Sequence, residues 1–209
     1  EVRRADLELA TSPQFLCALS GLALARAWRV PYVLEIRDLW PQSIVEVGAL
    51  PASHPIVLGL RALERFAYAQ ADLLVGVTDS FARIWREQGV DPAKIRTIKN
   101  GVDLGFFRPD VDGRAMRATL GLAEDAFVVG YIGTIGMAHG LGTLLDVAER
   151  LRGHDDVEFV LVGEGAQRAA LEQEARARGL HHVHFVGQLP RAQIPAVLAA
   201  TSLPVVMLK

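Results

Sequence analysis

Cys17 is the chain's only cysteine. One thiol excludes a disulfide framework and a thiolate metal cage, and it points to a reducing, cytoplasmic setting. A charge excess is missing as well: 22 Lys and Arg against 24 Asp and Glu leave a net charge of −2. Without a basic surplus there is no electrostatic footprint for nucleic acid, and no such partner is expected. Long apolar runs are lacking too. The most apolar segment, Phe15 to Trp28, is interrupted by Arg26 and falls short of the roughly 20 residues that span a bilayer. Aromatic residues make up only 7% of the 209, against 51% hydrophobic overall. The core must therefore be built of Leu, Val, Ile and Ala, as in soluble α/β proteins. The length suits one large or two modest domains. The first residue is Glu1, not methionine, which reads as a fragment and leaves open a targeting or membrane segment upstream.

What is present is a rhythm of strands and helices, organised around Phe127 to Leu151. Phe127 to Gly133 is an apolar run that predicts a buried parallel strand. It breaks at Gly133-Thr134-Ile135-Gly136, and after His139-Gly140 an amphipathic helix carries Leu141, Leu144, Leu145, Ala148 and Leu151 on one face. A strand, a glycine-bearing turn and a helix start place unpaired N–H groups at the carboxyl end of a sheet, where they suit a phosphate. The spacing G-x-x-G-x-x-x-G matches neither the dinucleotide fingerprint nor the Walker loop, so the turn alone is equally a plain connection.

Before this stretch, the pattern predicts a strand Leu7–Ala10 and a helix capped by Ser12, with Pro13 at its first position, running to Trp28. Strands follow at Tyr32–Arg37, Leu73–Val77 and Ile95–Ile98, with helices at Ile56–Ala71 and, capped by Ser80, Phe81–Gln88. After it come strands at Glu158–Val162, Val183–Val186 and Leu203–Met207, with helices at Gln167–Arg178 and Arg191–Ala200. Repeated strand–helix units of this size imply right-handed crossovers and parallel sheets. Ligands of such sheets sit outside the carboxyl ends of the strands. The turns expected to line a crevice are Gly133–Gly140 with Met137, then Gly163-Glu164-Gly165 and Gly187-Gln188. Thr11-Ser12, Arg37-Asp38 and Thr78-Asp79 would face them from the first half.

Between Lys99 and Asp112 the periodicity fails, and Asn100-Gly101, Gly105 and Pro109 mark a connector between two domains. Asp110-x-Asp112 does not follow an apolar strand, so it is not read as a metal site. His182 and His184 would point the same way on a strand, but no third ligand is spaced nearby, and a solvated strand entrance is expected.

Six segments in order now resemble one family. They are A-T-S-P at Ala10 to Pro13, E-I-R-D-L-W-P at Glu35 to Pro41 and N-G-V-D-L-G-F-F-R-P at Asn100 to Pro109, followed by G-T-I-G-M-A-H-G-L at Gly133 to Leu141, V-G-E-G at Val162 to Gly165 and F-V-G-Q-L at Phe185 to Leu189. Together they are similar to the retaining family 4 (group 1) glycosyltransferases of the GT-B fold, particularly bacterial members that build surface polysaccharides.

The resemblance implies two Rossmann-like parallel-sheet domains with a cleft between them, the boundary falling at residues 103 and 104. The first would receive the acceptor and the second hold a nucleotide-sugar. By position, Gly133, Thr134, Gly136, Met137, His139 and Gly140 would lie by the donor diphosphate. Phe185–Leu189, with Gly187 and Gln188, would approach the nucleobase, and Gly163, Glu164 and Gly165 would lie nearby. Arg37 and Asp38 would serve the acceptor and the transferring sugar as catalytic residues, with Thr11, Ser12, Thr78 and Asp79 on the acceptor side. Asn100, Gly101 and Asp103 would form the interdomain connection. A UDP-sugar is the expected donor and a polyprenyl-linked or other saccharide the expected acceptor. No metal or other cofactor is expected, and peripheral contact with the inner face of the cytoplasmic membrane fits such an acceptor. The helix Phe81–Gln88, with Arg83 and Arg86, is one candidate for that contact, although an ordinary helix packed on its sheet explains it as well.

Two departures stand out. Many relatives carry a lysine before the helix-opening glycine, where this chain has His139; a neutral imidazole donates one hydrogen bond but brings little charge. The paired glutamates that follow the strand at Leu203 in the family, and the first strands of the acceptor domain, lie outside these 209 residues. The resemblance therefore makes the chain the middle of an enzyme, with both domains incomplete and the fragment itself inactive. Two other readings share the crevice: a GT-B sugar-nucleotide 2-epimerase, and a non-catalytic nucleotide-binding domain.

Overall fold

The computed structural model describes residues 5–12 and 15–208. They form two compact units that divide between Gly101 and Val102.

The first unit opens with β1 (Glu8–Ser12), α1 (Phe15–Trp28) and β2 (Tyr32–Ile36). It continues through α2 (Gln42–Glu46), α3 (Pro55–Gln70), β3 (Leu73–Gly76), α4 (Asp79–Glu87) and β4 (Ile95–Thr97). The four strands pair in sequence order, all parallel, with Ala10 opposite Leu34 and Leu34 opposite Leu74. Every second residue points to the same face. Tyr32, Leu34, Ile36, Leu74 and Ile95 thus meet Ala18 and Leu22 of α1, Ala67 and Tyr68 of α3, and Ala82 and Trp85 of α4 in one core. Pro55 sits in the first turn of α3, where His54 Nδ1 accepts the Ile56 N–H at 3.2 Å. The expected start of the first helix at Pro13 falls outside the described residues.

The second unit carries α5 (Arg114–Leu120), β5 (Phe127–Ile132), α6 (Gly142–Arg150), β6 (Val157–Val162) and α7 (Arg168–Ala177). It closes with β7 (Val183–Gly187), α8 (Ile194–Ala200) and β8 (Leu203–Val205). Its parallel sheet runs β7-β6-β5-β8, so the order reverses beside β5. One face packs Tyr131, Phe159 and Leu161 against Leu145 of α6 and Leu171 of α7. The other packs Val128, Val160 and Val162 against Val197 of α8. Arg117 of α5 donates to the carbonyls of Glu124 and Ala126 at 2.9 and 2.8 Å and to Ser202 Oγ at 3.2 Å. The same Oγ accepts the Val128 N–H at 3.1 Å, tying the entry of β5 to the entry of β8.

Several expectations need correction. Thr78, not Ser80, caps α4: its Oγ1 accepts the Phe81 N–H, and Ser80 lies within the first turn. Two short helices, α2 and α5, were not expected from the sequence; neither holds a fully buried residue, and on α5 only Met116 and Leu120 pack, half-buried, against the core. Ser12 is not in an open turn; it is the last residue of β1, pairs with Ile36 and is 1% exposed. His182 and His184 also separate. His182 precedes β7 and reaches the Ala148 carbonyl of α6 at 3.0 Å, whereas His184 pairs with Glu158 of β6 at 2.7 Å. Among the described residues no helix is long and apolar enough to cross a membrane.

Candidate functional site

At the carboxyl end of β5 the chain stays extended through Gly136, at φ −116° and ψ 169°. A 3₁₀ turn over Met137–His139 follows, then Gly140 in the left-handed region at φ 58°, then α6. Gly140 is the glycine of this loop that uses its conformational freedom. The helix therefore opens at Gly142, two residues later than the sequence suggested.

The three glycine-bearing turns of the second unit are laced together backbone to backbone. Gly133 N donates to the Val162 carbonyl at 2.9 Å and Ile135 N to the Glu164 carbonyl at 2.8 Å. The Ile135 carbonyl accepts from Gln167 N at 3.0 Å, and Gly163 N donates to the Gly187 carbonyl at 2.8 Å. This corrects the expectation of a wholly unpaired turn, since Gly133 and Ile135 are bonded to the next loop. The intervening amides of Thr134 and Gly136 form no such backbone bond among the described residues. They remain donors for something else. The Tyr131 hydroxyl donates to the Thr134 carbonyl at 2.7 Å, and burial raises the Tyr131 pKa above its usual value.

These turns enclose an open pocket of about 340 Å³. Gly133, Thr134, Gly163, Glu164, Gln188 and Leu189 line it, together with Ile132 and Ile194, which the sequence reading did not pick out. Two buried nitrogens stand in the same loop cluster without a hydrogen-bond partner: Nδ1 of His139 and Nε of Arg168. The first lies beside Gly136, 3.5 Å from where a Cβ would be. Arg168, the first residue of α7, pairs with Glu164 through Nη1, and the pair lies against Gly187. Arg168 also escaped the sequence reading; its one signal was the four-residue spacing from Glu164 on a helix. A buried polar atom without a protein partner is uncommon in folded proteins, and each of these nitrogens keeps hydrogen-bonding capacity that the surrounding side chains do not use. Met137 is exposed at the rim.

In the first unit, the ends of β1, β2 and β3 bring Thr11, Arg37-Asp38 and Thr78-Asp79 to one edge of the sheet. Arg37 and Asp38 are exposed, and Arg37 N donates to the Ser12 carbonyl at 3.1 Å. Asp79 pairs with Lys99 at 2.7 Å, and that bond holds its carboxyl below the usual range. Asn100 and Gly101 are exposed. Asp103 falls in the second unit, where its Oδ1 accepts the N–H groups of Gly105 and Phe106 at 2.9 and 3.2 Å. The two carboxylates of the Asp110-x-Asp112 segment are engaged by arginines, Asp110 by Arg108 and Asp112 by Arg114. The Arg114 guanidinium pulls the Asp112 pKa down to about 2.

Residues 2–101 match the family described as glycosyl transferase 4-like domain, and residues 112–208 match glycosyl transferases group 1. WcaI of Escherichia coli (strain K12), provisionally named a colanic acid biosynthesis glycosyl transferase, is 26% identical over 197 residues, 92% of this chain and 48% of its own. The D-inositol 3-phosphate glycosyltransferase of Mycobacterium tuberculosis (strain ATCC 25177 / H37Ra) is 34% identical over 158 residues, 75% of this chain and 32% of its own. Among solved structures, Anabaena HepE in complex with UDP-glucose superposes with a TM-score of 0.73 at 21% identity, covering 96% of this chain and 53% of that one. At that identity the likeness is one of fold, the two-domain GT-B arrangement of parallel sheets. The chain spans about half the length of the curated relatives it matches.

Proposed function

We propose, from the premise that this chain belongs to the group 1 glycosyl transferases, that its second unit is the donor half of an enzyme moving a hexosyl or N-acetylaminosugar residue from a UDP-sugar. The acceptor is a lipid-linked saccharide, as in surface-polysaccharide assembly, and the first unit serves it. The observation that carries the reading is the convergence of three strand-end turns on one pocket beside two unpartnered buried nitrogens. UDP and UDP-glucose bound to the fold neighbour HepE lend support to the nucleotide.

In this reading the free amides of Thr134 and Gly136 and the N-terminus of α6 donate to the diphosphate, with His139 adding one hydrogen bond through Nδ1. Arg168 orients Glu164, whose carboxylate accepts from a hydroxyl or imide N–H of the nucleoside in the pocket. Preorganised donors facing the departing diphosphate oppose the charge that develops as the C1–oxygen bond breaks. The new bond forms from C1 to the acceptor oxygen with retention, and the acceptor proton passes to the departing phosphate. Asp38 and Arg37 position the acceptor. This reading calls for no metal: backbone amides and the positive end of α6 face the diphosphate.

Titration calorimetry of the full-length protein with UDP, with GDP and ADP as controls, tests this reading. UDP should bind more tightly than either control and slow amide exchange at residues 133–140 and 163–168. Absence of nucleotide binding, or protection confined to other segments, would overturn it.

A further inference from the structure

The Asp103–Phe107 segment is folded more tightly than a connector requires. Asp103 Oδ1 accepts the N–H groups of Gly105 and Phe106, and the Asp103 carbonyl accepts those of Phe106 and Phe107 at 3.2 and 2.8 Å. This turn, built on an aspartate side chain, holds Phe106 half-buried. The Phe107 ring braces it edge-on, with 4.9 Å between centroids and 86° between planes. Over the Phe106 ring lies the Arg191 guanidinium, 4.8 Å from the centroid, within the range of a cation–π contact. Among the described residues no carboxylate pairs with Arg191, so the ring fixes a side chain that is otherwise solvated.

Arg191 stands in the chain between residues that line the pocket of the second unit: Gln188 and Leu189 precede it and Ile194 follows it. The start of this stretch is bonded to the neighbouring turn, where the Gly187 carbonyl accepts from Gly163 N. Leu189 rests on the core packed between the sheet and α8. Beyond Gly187, the amides of Gln188 and Leu189 make no backbone bond among the described residues, and Pro190 has no N–H to give. A 3₁₀ turn over Arg191–Gln193 then leads into α8. A pocket wall without ladder bonds takes its position from side chains, and the polar anchor of this one is Arg191 on Phe106.

We infer that Arg191 and Phe106 set the selectivity of the pocket for its nucleobase, as positioning residues that hold the Gln188–Leu189 wall at one distance from the glycine-bearing turns opposite. The inference rests on the nucleotide reading of the pocket and adds the residues that fix its width. A wall held in place admits a pyrimidine and turns away the wider purine, whereas a wall free to shift accepts either. Neither side chain lines the pocket, so both act through the wall and not by touching the base. The diphosphate, placed by residues 133–140, lies outside their influence.

Titration calorimetry of the full-length protein with UDP, GDP and inorganic pyrophosphate tests it. Phe106→Leu keeps apolar bulk and loses the ring face, and Arg191→Gln keeps a polar stem and loses the charge. Each should lower the UDP-to-GDP affinity ratio about two- to fivefold, the worth of one cation–π contact near the surface. The double variant should lose no more than either single one, because the two side chains act as one contact. Phe106→Trp and Arg191→Lys, which retain a ring face and a cation, should keep the wild-type ratio. Pyrophosphate affinity should stay unchanged in all of them, while His139→Ala should weaken UDP and GDP alike. An unchanged ratio in both single variants, additive losses in the double variant, or a matching loss of pyrophosphate binding would overturn the inference and leave the donor site standing. Absence of UDP binding by the wild type would overturn both.

Discussion

A Cβ on Gly163 would stand 1.8 Å from the carbonyl oxygen of Gly133. The turns after β5 and β6 therefore touch main chain to main chain, and no side chain fits between them. Gly165 repeats the relationship, with its absent Cβ 2.3 Å from the Ile135 carbonyl oxygen.

Gly163→Ala should consequently destabilise the second unit by roughly 3 kcal/mol or more, combining overpacking with a backbone held at φ 146°. Urea unfolding followed through the second unit measures this. A cost below about 1 kcal/mol would mean that the two turns separate easily.

Gly136 behaves differently. Its extended backbone accepts a β-branched residue, and a Cβ there meets nothing closer than His139 Nδ1 at 3.5 Å. Valine is therefore unstrained at this position, and the substitution is a clean probe of ligand contact. Gly136→Val should melt near wild type without ligand. At UDP a hundred times its dissociation constant, the wild type should gain about 2.7 kcal/mol; the valine variant should lose most of that gain and His139→Ala only part. Undiminished stabilisation of the valine variant would place the phosphates elsewhere.

Asp38 is exposed just beyond β2, so Asp38→Asn should change stability by no more than about 0.5 kcal/mol. Turnover of the full-length enzyme should fall by about a hundredfold or more, the lower end of the range for a lost acid–base group. Parallel melting and initial-rate measurements decide the matter. A large loss of stability with normal turnover would make Asp38 a structural residue.

Burial raises the pKa of Glu64 above its ordinary 4.5, against opposing pulls from Tyr68, Arg61 and Arg65. The folded state then binds a proton more readily than the unfolded state. Stability contributed by this group should fall as pH rises from about 4.5 through the raised folded value. Glu64→Gln keeps an acceptor for Tyr68 and cannot titrate. The stability difference, wild type minus variant, should therefore decline across that window in urea melts at stepped pH. A difference that grows with pH would show that the arginines outweigh burial.

The inner strands of both sheets were legible because each is an apolar run bounded by Gly, Pro or a polar turn. β5, for instance, begins at Phe127 as expected and ends at Ile132. The helices α3 and α7 were found within one residue at each end, since each carries a buried stripe at helical spacing. Helix α5 was not legible from apolar periodicity, as only Met116 and Leu120 mark its half-buried side, although Gly121 at φ 71° just past its end was a usable stop signal. At the candidate site the sequence supplied the turns and not their bonding. That Gly133 and Ile135 would be tied to the next loop depends on strand order, which periodicity does not encode. The partnering of Glu164 by Arg168 was missed because an arginine opening a helix resembles any solvated one.

The clamp formed by Arg117, Val128 and Ser202 has a consequence for the order in which the second unit assembles. Arg117 and Ser202 are 85 residues apart in the chain, so this bond closes one of the longest loops in the unit, and contacts of such separation form slowly. On a ribosome, Arg117 emerges long before the serine it will hold. Until Ser202 arrives, the entry of β5 lacks its side-chain acceptor and one flank of the central strand is unpaired. The unit should therefore become resistant to proteolysis in a single late step, when β8 docks, and not in increments as each strand is made.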